Sequence, residues 1–328
     1  MLSIVLPIYN EETVIEPLYK RLCVMASSLE LPCEFIFVDD GSRDQSLRCL
    51  HQIQAADERI IILELSRNWG HQAALSAGLA EARGEAVVLM DADLQDPPEL
   101  IPEMVQAWRD GAQIITATRR ENHVRQGPRR WLSSAFYAVF QALSEISQAP
   151  HEGIFCLLDA EPAAELCRLR ESNRYLPGLR DWLGYRSVSI AYDRPDRTYG
   201  KSRQSLGRLM GYGMNAIFSF SHKPMRFILY LGCGIAGMSF LGALIVVLVR
   251  LHGSGLFHQP VVIGYTSTIF AVLFLGGIQL IALGLMCEYI GRIYDEVKAR
   301  PLYIIRHRYH VRSFTPTPHK EQAKAAYP

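Results

Sequence analysis

The sequence has almost no net charge: 34 lysines and arginines stand against 33 aspartates and glutamates, leaving +1 over 328 residues. No global field therefore draws it to nucleic acid, and any charge-based recognition has to be local. Its seven cysteines are odd in number and include no C-x-x-C. That pattern suggests neither a disulfide framework nor a zinc site and fits reduced thiols in a cytosolic compartment. No G-x-G-x-x-G follows the first strand-like run, and no G-x-x-x-x-G-K-[ST] occurs. Dinucleotide-dependent redox chemistry and P-loop hydrolysis are both disfavoured. The chain opens at once on "LSIVLPIYN", without the basic segment and apolar core of a cleaved secretory signal.

What is present divides into an apolar part and an alternating part. From Phe227 to Val249 no residue is charged, and ~23 positions exceed the roughly 20 needed to cross a bilayer. A second uncharged run spans Val261 to Cys287, after a short turn-rich loop. The two predict a transmembrane hairpin, 227–249 and 261–287, within residues 227–290. Lys223 and Arg226 precede it, and Arg292, Lys298, Arg300, Arg306, Arg308 and Arg312 follow it. The connecting loop has only Arg250, so the excess of positive charge puts both termini in the cytoplasm. The expected layout is a cytoplasmic domain over 1–204, an interfacial amphipathic helix over 205–226, the hairpin, and a basic cytoplasmic tail over 291–328.

Before the hairpin, strand-like runs ("SIVLPIY", "EFIFVDD", "IIILELS", "EAVVLMD", "AQIITAT") alternate with amphipathic segments such as 12–29, 44–56 and 73–82. This alternation predicts an α/β fold with a doubly wound, mostly parallel sheet. Ligands of such sheets bind beyond the carboxyl ends of the strands. Polar residues collect there: Tyr9, Asn10 and Glu11, then Asp39 and Asp40, Arg67 and Asn68, Asp91 and Asp93, and Arg119 and Arg120. Five successive strand ends of this kind describe one crevice.

The fourth run ends in "DADLQDPPEL", three carboxylates within six positions. Asp91, Asp93 and the Gln95 carbonyl form a hard oxygen set suited to Mg²⁺ or Mn²⁺, ions that keep positions open for substrate phosphates. Asp96, ahead of Pro97 and Pro98, reads as a helix N-cap.

"PIYNEE", "VDDGSRD", "LSRNWGHQAALSAGL" and "DADLQDPPEL", in that order, resemble the motifs of the family 2 inverting glycosyltransferases. Together with "FLGGIQLIALGLMCEYIGRIYDEVKARPLYII", they resemble more narrowly the polyprenyl-phosphate glycosyltransferases, over about Leu2 to Arg312. The resemblance implies a GT-A type nucleotide-sugar domain at the cytoplasmic face of a bacterial inner membrane, with a multi-pass anchor. It implies that Pro7, Tyr9, Glu11 and Asp39 line the base pocket; Asp40 and Asn68 join them as donor-binding candidates. It implies that Asp91 contacts the donor or the metal, and that Asp93 and Gln95 ligate the metal. Arg197, Lys201 and Arg203 in "DRTYGKSRQS" match a basic loop turned toward phosphate. Arg119 belongs to a further basic group, with Arg120, Arg125, Arg129 and Arg130, that suits either the acceptor phosphate or a lipid surface.

The activity so implied is transfer of a hexose from a nucleotide diphosphate sugar, UDP-glucose favoured, to a polyprenyl phosphate such as undecaprenyl phosphate, with inversion and a divalent cation. Aminoarabinose, mannose and N-acetylglucosamine are alternative sugars, and a catalytically silent nucleotide-sugar scaffold is the alternative function. Expected partners are the nucleotide sugar, the lipid phosphate and the bilayer; self-association into a homo-oligomer stays open, and nucleic acid is not expected. The sequence departs from the family at "HEGIFCLLD", where a G-D-F-R motif is usual: Ile154 replaces the Asp and Cys156 the Arg. Glu152 either substitutes for that Asp among the catalytic candidates Asp91, Asp93, Arg197 and Arg203, or is an exposed loop residue.

Overall fold

The computed structural model describes residues 1–119, 152–169, 171–172, 174–192 and 264–310, with isolated helical positions between 230 and 241. The chain divides into two units: one of residues 1–125, 148–203 and 301–328, and one of 126–147 and 204–300.

The first unit is built on β1 (Leu2–Ile8), β2 (Cys33–Asp39), β3 (Ile60–Leu65) and β4 (Ala86–Leu89), every residue of which is buried. Continuous apolar runs of this kind suit strands covered on both faces. β5 (Ile114–Arg119), β6 (Glu152–Asp159), β7 (Ser187–Tyr192) and β8 (Ile305–Tyr309) complete an eight-stranded sheet of order β7-β5-β6-β4-β1-β2-β3-β8. The pairs β1–β2, β1–β4, β2–β3 and β5–β7 are parallel, while β6 and β8 run antiparallel to their neighbours. The expected α/β sheet is present, and the strands read from sequence are its first five.

Helices α1 (Ile15–Ser28), α2 (Ser46–Gln54), α3 (His71–Glu81), α4 (Ile101–Arg109), α5 (Ala160–Arg168) and α6 (Leu176–Trp182) complete this unit among the described residues. α3 has no polar stripe in its middle: Ala74 through Leu79 are all buried. Gly78 permits that fit, because a Cβ there would lie 2.2 Å from Val5 Cγ1 on β1.

Three expectations change. Residues 305–309, expected in a basic tail, form an edge strand of the sheet, pairing Ile62 with Tyr309 and Leu63 with Arg308. Two of the basic residues used to orient the hairpin are held there in ion pairs, Arg306 with Glu64 at 3.2 Å and Arg308 with Glu81 at 3.2 Å. Glu152, weighed as a loop residue, begins β6 and pairs with Thr118. Asp96 caps no helix; the helical turn at Pro98–Leu100 and α4 behind it have no side-chain cap, and Asp96 is buried.

In the second unit, α7 runs from Gly264 to Lys298. Its segment Phe274–Lys298 is long and apolar enough to cross a membrane, and among the described residues it is the one helix that qualifies. The helix continues past Cys287, the expected end of the span. That continuation holds an Arg292–Glu288 ion pair at 3.0 Å and the Lys298 ammonium 3.9 Å from the centre of the Tyr294 ring. Of the first expected span, only Tyr230, Gly232, Gly234, Ile235, Gly237, Met238 and Leu241 are described, all helical. The expected interfacial helix lies outside the described residues.

Candidate active site

The carboxyl ends of β1, β2, β3 and β4 are joined by hydrogen bonds between their loops. Asn10, with φ of +55°, donates its N–H to Ser42 Oγ at 3.0 Å and accepts Arg43 N–H on Oδ1 at 2.8 Å. Glu11 N–H donates to Ser46 Oγ at 2.9 Å. "YNEE" and "DDGSRD" thereby form one wall. Pro7 is buried in β1, whereas Tyr9 is 41% exposed and presents its ring at the rim.

Asp39 and Asp40 are both buried, and burial raises the pKa of each above the usual carboxylate value. Asp39 accepts Ser42 N–H at 3.3 Å on each oxygen. Asp40 accepts Trp69 N–H at 2.7 Å and Gly70 N–H at 3.0 Å, one on each oxygen, and so clamps the loop that leads into α3. Gly41, with φ of +68°, lies under that loop: a Cβ would meet the Arg67 carbonyl carbon at 2.6 Å. Arg67 stacks 4.0 Å over the Trp69 ring, and Asn68 is exposed.

β4 ends in the carboxylate turn. Asp91 Oδ1 lies 2.8 Å from His71 Nε2, at the first residue of α3. Desolvation works against a charge on His71. The hydrogen bond to Asp91 and the charges of Asp91, Asp40 and Asp93 outweigh it and raise the imidazole pKa. Asp93 Oδ1 accepts Gln95 N–H at 3.1 Å, and Gln95 is buried. Leu94 between them has φ of +60°, a left-handed conformation costing ~1–3 kcal/mol in a residue with a Cβ, and of the kind that clusters at functional sites. Asp96 closes the turn, with Oδ2 accepting Asp91 N–H at 3.3 Å and Oδ1 accepting Tyr192 Oη–H at 2.9 Å. Burial, then the Asp91 charge, push its pKa up to about 6. Arg119, at the end of β5, donates from Nε to Tyr192 Oη at 3.4 Å. Burial opposes its charge, but Tyr192, Asp96 and Asp91 raise its pKa.

Among the described residues no three His, Cys, Asp or Glu side chains converge as a metal cage. The donor set at the turn is two carboxylates and an amide on one five-residue segment. It fits a Mg²⁺ or Mn²⁺ ion that draws its remaining ligands from a diphosphate, and does not fit a closed structural site.

β6 runs antiparallel to β4, with Leu89 opposite Cys156, so its first residues lie at the crevice end. Ile154 and Cys156 there line a small, mainly apolar cavity with Leu89, Leu176, Pro177 and Arg180. Arg180 is buried and donates from Nη1 to the Gly153 carbonyl at 3.2 Å. Arg197, Lys201, Arg203, Arg120, Arg125, Arg129 and Arg130 lie outside the described residues.

His71, Tyr192 and Arg180 were not among the sequence candidates. His71 stands inside the quoted motif "LSRNWGHQAALSAGL", but nothing in its local sequence ties it to Asp91. Tyr192 and Arg180 sit in segments with no local signature; the β5–β7 register sets Tyr192 opposite Arg119, and α6 sets Arg180 against Gly153 at the start of β6.

The site is thus an acidic turn at the carboxyl end of the fourth strand of a mixed α/β sheet, without a glycine-rich phosphate loop. The glycosyl transferase family 2 model matches residues 3–157. An uncharacterized glycosyltransferase of Synechocystis sp. is 41% identical over 304 residues, 93% of this chain and 94% of that protein. The bactoprenol glucosyl transferase of Shigella phage SfII is 35% identical over 306 residues, covering 93% of this chain and 97% of its own. The chain belongs to glycosyl transferase family 2 and is a glycosyltransferase with a GT-A type α/β domain. Within the family it falls with the polyprenyl-phosphate group, which the bactoprenol enzymes represent. Among solved structures, the mannosyltransferase PcManGT from Pyrobaculum calidifontis, in complex with GDP-Man and Mn²⁺, matches with TM-score 0.46 and 16% identity, covering 91% of this chain and 86% of that one.

Proposed function

We propose that the protein transfers a hexose, with UDP-glucose the favoured donor, to a polyprenyl phosphate with inversion at the anomeric carbon. The reaction takes place at the cytoplasmic face of a bacterial inner membrane, to which both predicted spans anchor the chain with both termini inside. The observation that carries this reading is the Asp91–Asp96 turn, set at the carboxyl end of β4 in a chain related along nearly its whole length to bactoprenol glucosyl transferases.

The wall of Tyr9, Glu11 and Asp39 holds the nucleotide base. Asp40 acts at one remove, by fixing the loop that carries Asn68. Asp91, Asp93 and Gln95 hold Mg²⁺ or Mn²⁺, which when bound offsets charge growing on the leaving diphosphate. Arg119, bonded to Tyr192 beside the same turn, contacts the acceptor phosphate in this reading, and Arg197, Lys201 and Arg203 complete the phosphate contacts. The acceptor oxygen needs little help from a base, since a phosphate monoester has a second pKa near ~6 and is largely ionised at neutral pH. Loss of the family Asp at position 154 is therefore tolerable.

The apolar cavity lined by half-buried Ile154 and buried Cys156 favours one second reading, a nucleotide-sugar-binding scaffold without turnover. The deciding experiment supplies the full chain in lipid nanodiscs with undecaprenyl phosphate, Mn²⁺ and labelled UDP-glucose, UDP-galactose, UDP-N-acetylglucosamine, UDP-aminoarabinose or GDP-mannose. Label entering the lipid extract from one donor supports the transferase and names its sugar. Nucleotide binding with no transfer from any donor establishes the scaffold.

A further inference from the structure

Tyr192 is the last residue of β7, opposite Arg119 in the β5–β7 register, and is 5% exposed. Its ring meets Phe155 edge to face, with centroids 6.1 Å apart at 84°, and Phe155 is itself fully buried in β6. The pair packs the phenol ring into the core. From there the hydroxyl donates to Asp96 Oδ1 at 2.9 Å and accepts from Arg119 Nε at 3.4 Å. Asp96 Oδ2 accepts the Asp91 N–H at 3.3 Å. Donors and acceptors balance along this line: the phenol has one hydrogen to give and lone pairs to share, and the carboxylate accepts on both oxygens.

The line matters because of what the turn has to withstand. Asp91, Asp93 and Asp96 crowd three acidic groups into six residues, and Leu94 holds a left-handed backbone in their midst. Strain of that sort persists only where the surroundings over-determine it. Asp96 supplies such a constraint from inside the protein, and Tyr192 holds Asp96. Arg119, brought up by the same hydroxyl, offsets the repulsion between the carboxylates.

We infer that Tyr192 is a positioning residue: through Asp96 it fixes the 91–96 turn in the shape from which Asp91 and Asp93 reach a divalent cation, and through Arg119 it stations a positive charge beside them. This rests on the reading of Asp91 and Asp93 as metal ligands. Tyr192 is buried, and its hydroxyl acts through Asp96 and Arg119.

The test is Mn²⁺ affinity, read from the electron paramagnetic resonance signal of free Mn²⁺ on the full chain in detergent with saturating UDP. Tyr192→Phe keeps the ring and removes the hydroxyl, and weakens Mn²⁺ binding by about tenfold, the scale of one hydrogen bond to a charged group. Asp96→Asn weakens it in the same direction. The double variant is no weaker than the worse single, because both break one line of contacts. Phe155→Leu, which loosens the packing without touching the hydroxyl, lowers the unfolding temperature but leaves Mn²⁺ affinity at the parent value. Parent-like Mn²⁺ binding in Tyr192→Phe overturns the inference, and so does an equal loss in Phe155→Leu, which would reduce Tyr192 to packing. A parent that binds no Mn²⁺ under these conditions overturns the metal-ligand reading itself, and the inference with it.

Discussion

His71 Nε2 lies 2.8 Å from Asp91 Oδ1, joining the first residue of α3 to the acidic turn after β4. Two segments twenty residues apart, neither able to place the other by sequence pattern, meet through that contact.

Asp91→Asn is expected to lower the His71 pKa in the metal-free protein. The hydrogen bond to Asp91 is the largest of the influences that raise it; with the charge gone, desolvation pulls the imidazole back down. The sign for stability follows. A His with a raised folded pKa contributes stability that is full below ~6.5 and fades as pH rises through the folded value. Asp91→Asn flattens that part of the pH dependence. Imidazole NMR titration checks the first effect and urea midpoints against pH the second; an unmoved His71 titration would refute the pairing.

Asp93→Ala is expected to abolish Mn²⁺-dependent transfer while leaving the chain folded. Its carboxylate bonds locally, to Gln95 N–H, and loss of such a hydrogen bond costs ~1–2 kcal/mol. Transfer assayed to saturating Mn²⁺, beside a thermal melt, checks both halves. Retained activity at saturating metal contradicts the ligand role.

Gly41→Ala is expected to cost more than Gly70→Ala, although both glycines have positive φ, +68° and +96°. Each substitution meets a backbone penalty, ~1–2 kcal/mol for the left-handed region at Gly41 and ~1–3 kcal/mol at Gly70, whose ψ of 157° puts it in a region held almost only by glycine. Only at Gly41 does the new methyl also strike backbone, 2.6 Å from Arg67; nothing lies within 4 Å at Gly70. Urea unfolding of the two variants side by side decides it, and equal midpoints would show that the Arg67 loop gives way freely.

A version of the protein ending before Phe227 is expected to be unstable, although every crevice residue described here precedes that point. It lacks β8, so Glu64 loses Arg306 and Tyr309, the latter a 2.9 Å bond, and Gln54 loses its 2.8 Å bond to the Tyr309 carbonyl. β3 becomes a bare edge, prone to pairing with other chains. Joining residues 301–310 back through a flexible linker restores solubility and UDP binding, as size-exclusion chromatography and calorimetry report. Equal behaviour of the two versions would show β8 to be dispensable.

The sequence by itself determined the alternating α/β order, the first five strands, and an acidic crevice at their carboxyl ends. Those features are written in local patterns: apolar runs between amphipathic segments, and polar residues directly after a run. It also marked a long apolar helix, because crossing a bilayer requires ~20 apolar residues in succession. Tertiary structure decided the rest. Ile305–Tyr309 carries Arg306, His307 and Arg308 and looks like a solvated tail until Glu64 and Glu81 turn it into a strand. Asp96 before two prolines has the local form of a cap, yet Tyr192 lies 96 residues away and draws its carboxylate inward. Hydrogen bonds and ion pairs between distant segments carry no periodicity, so no window along the chain contains both partners. The register of β5 with β7, and of β4 with β6, is what brings Arg119, Tyr192 and Gly153 to the turn that Asp91 begins.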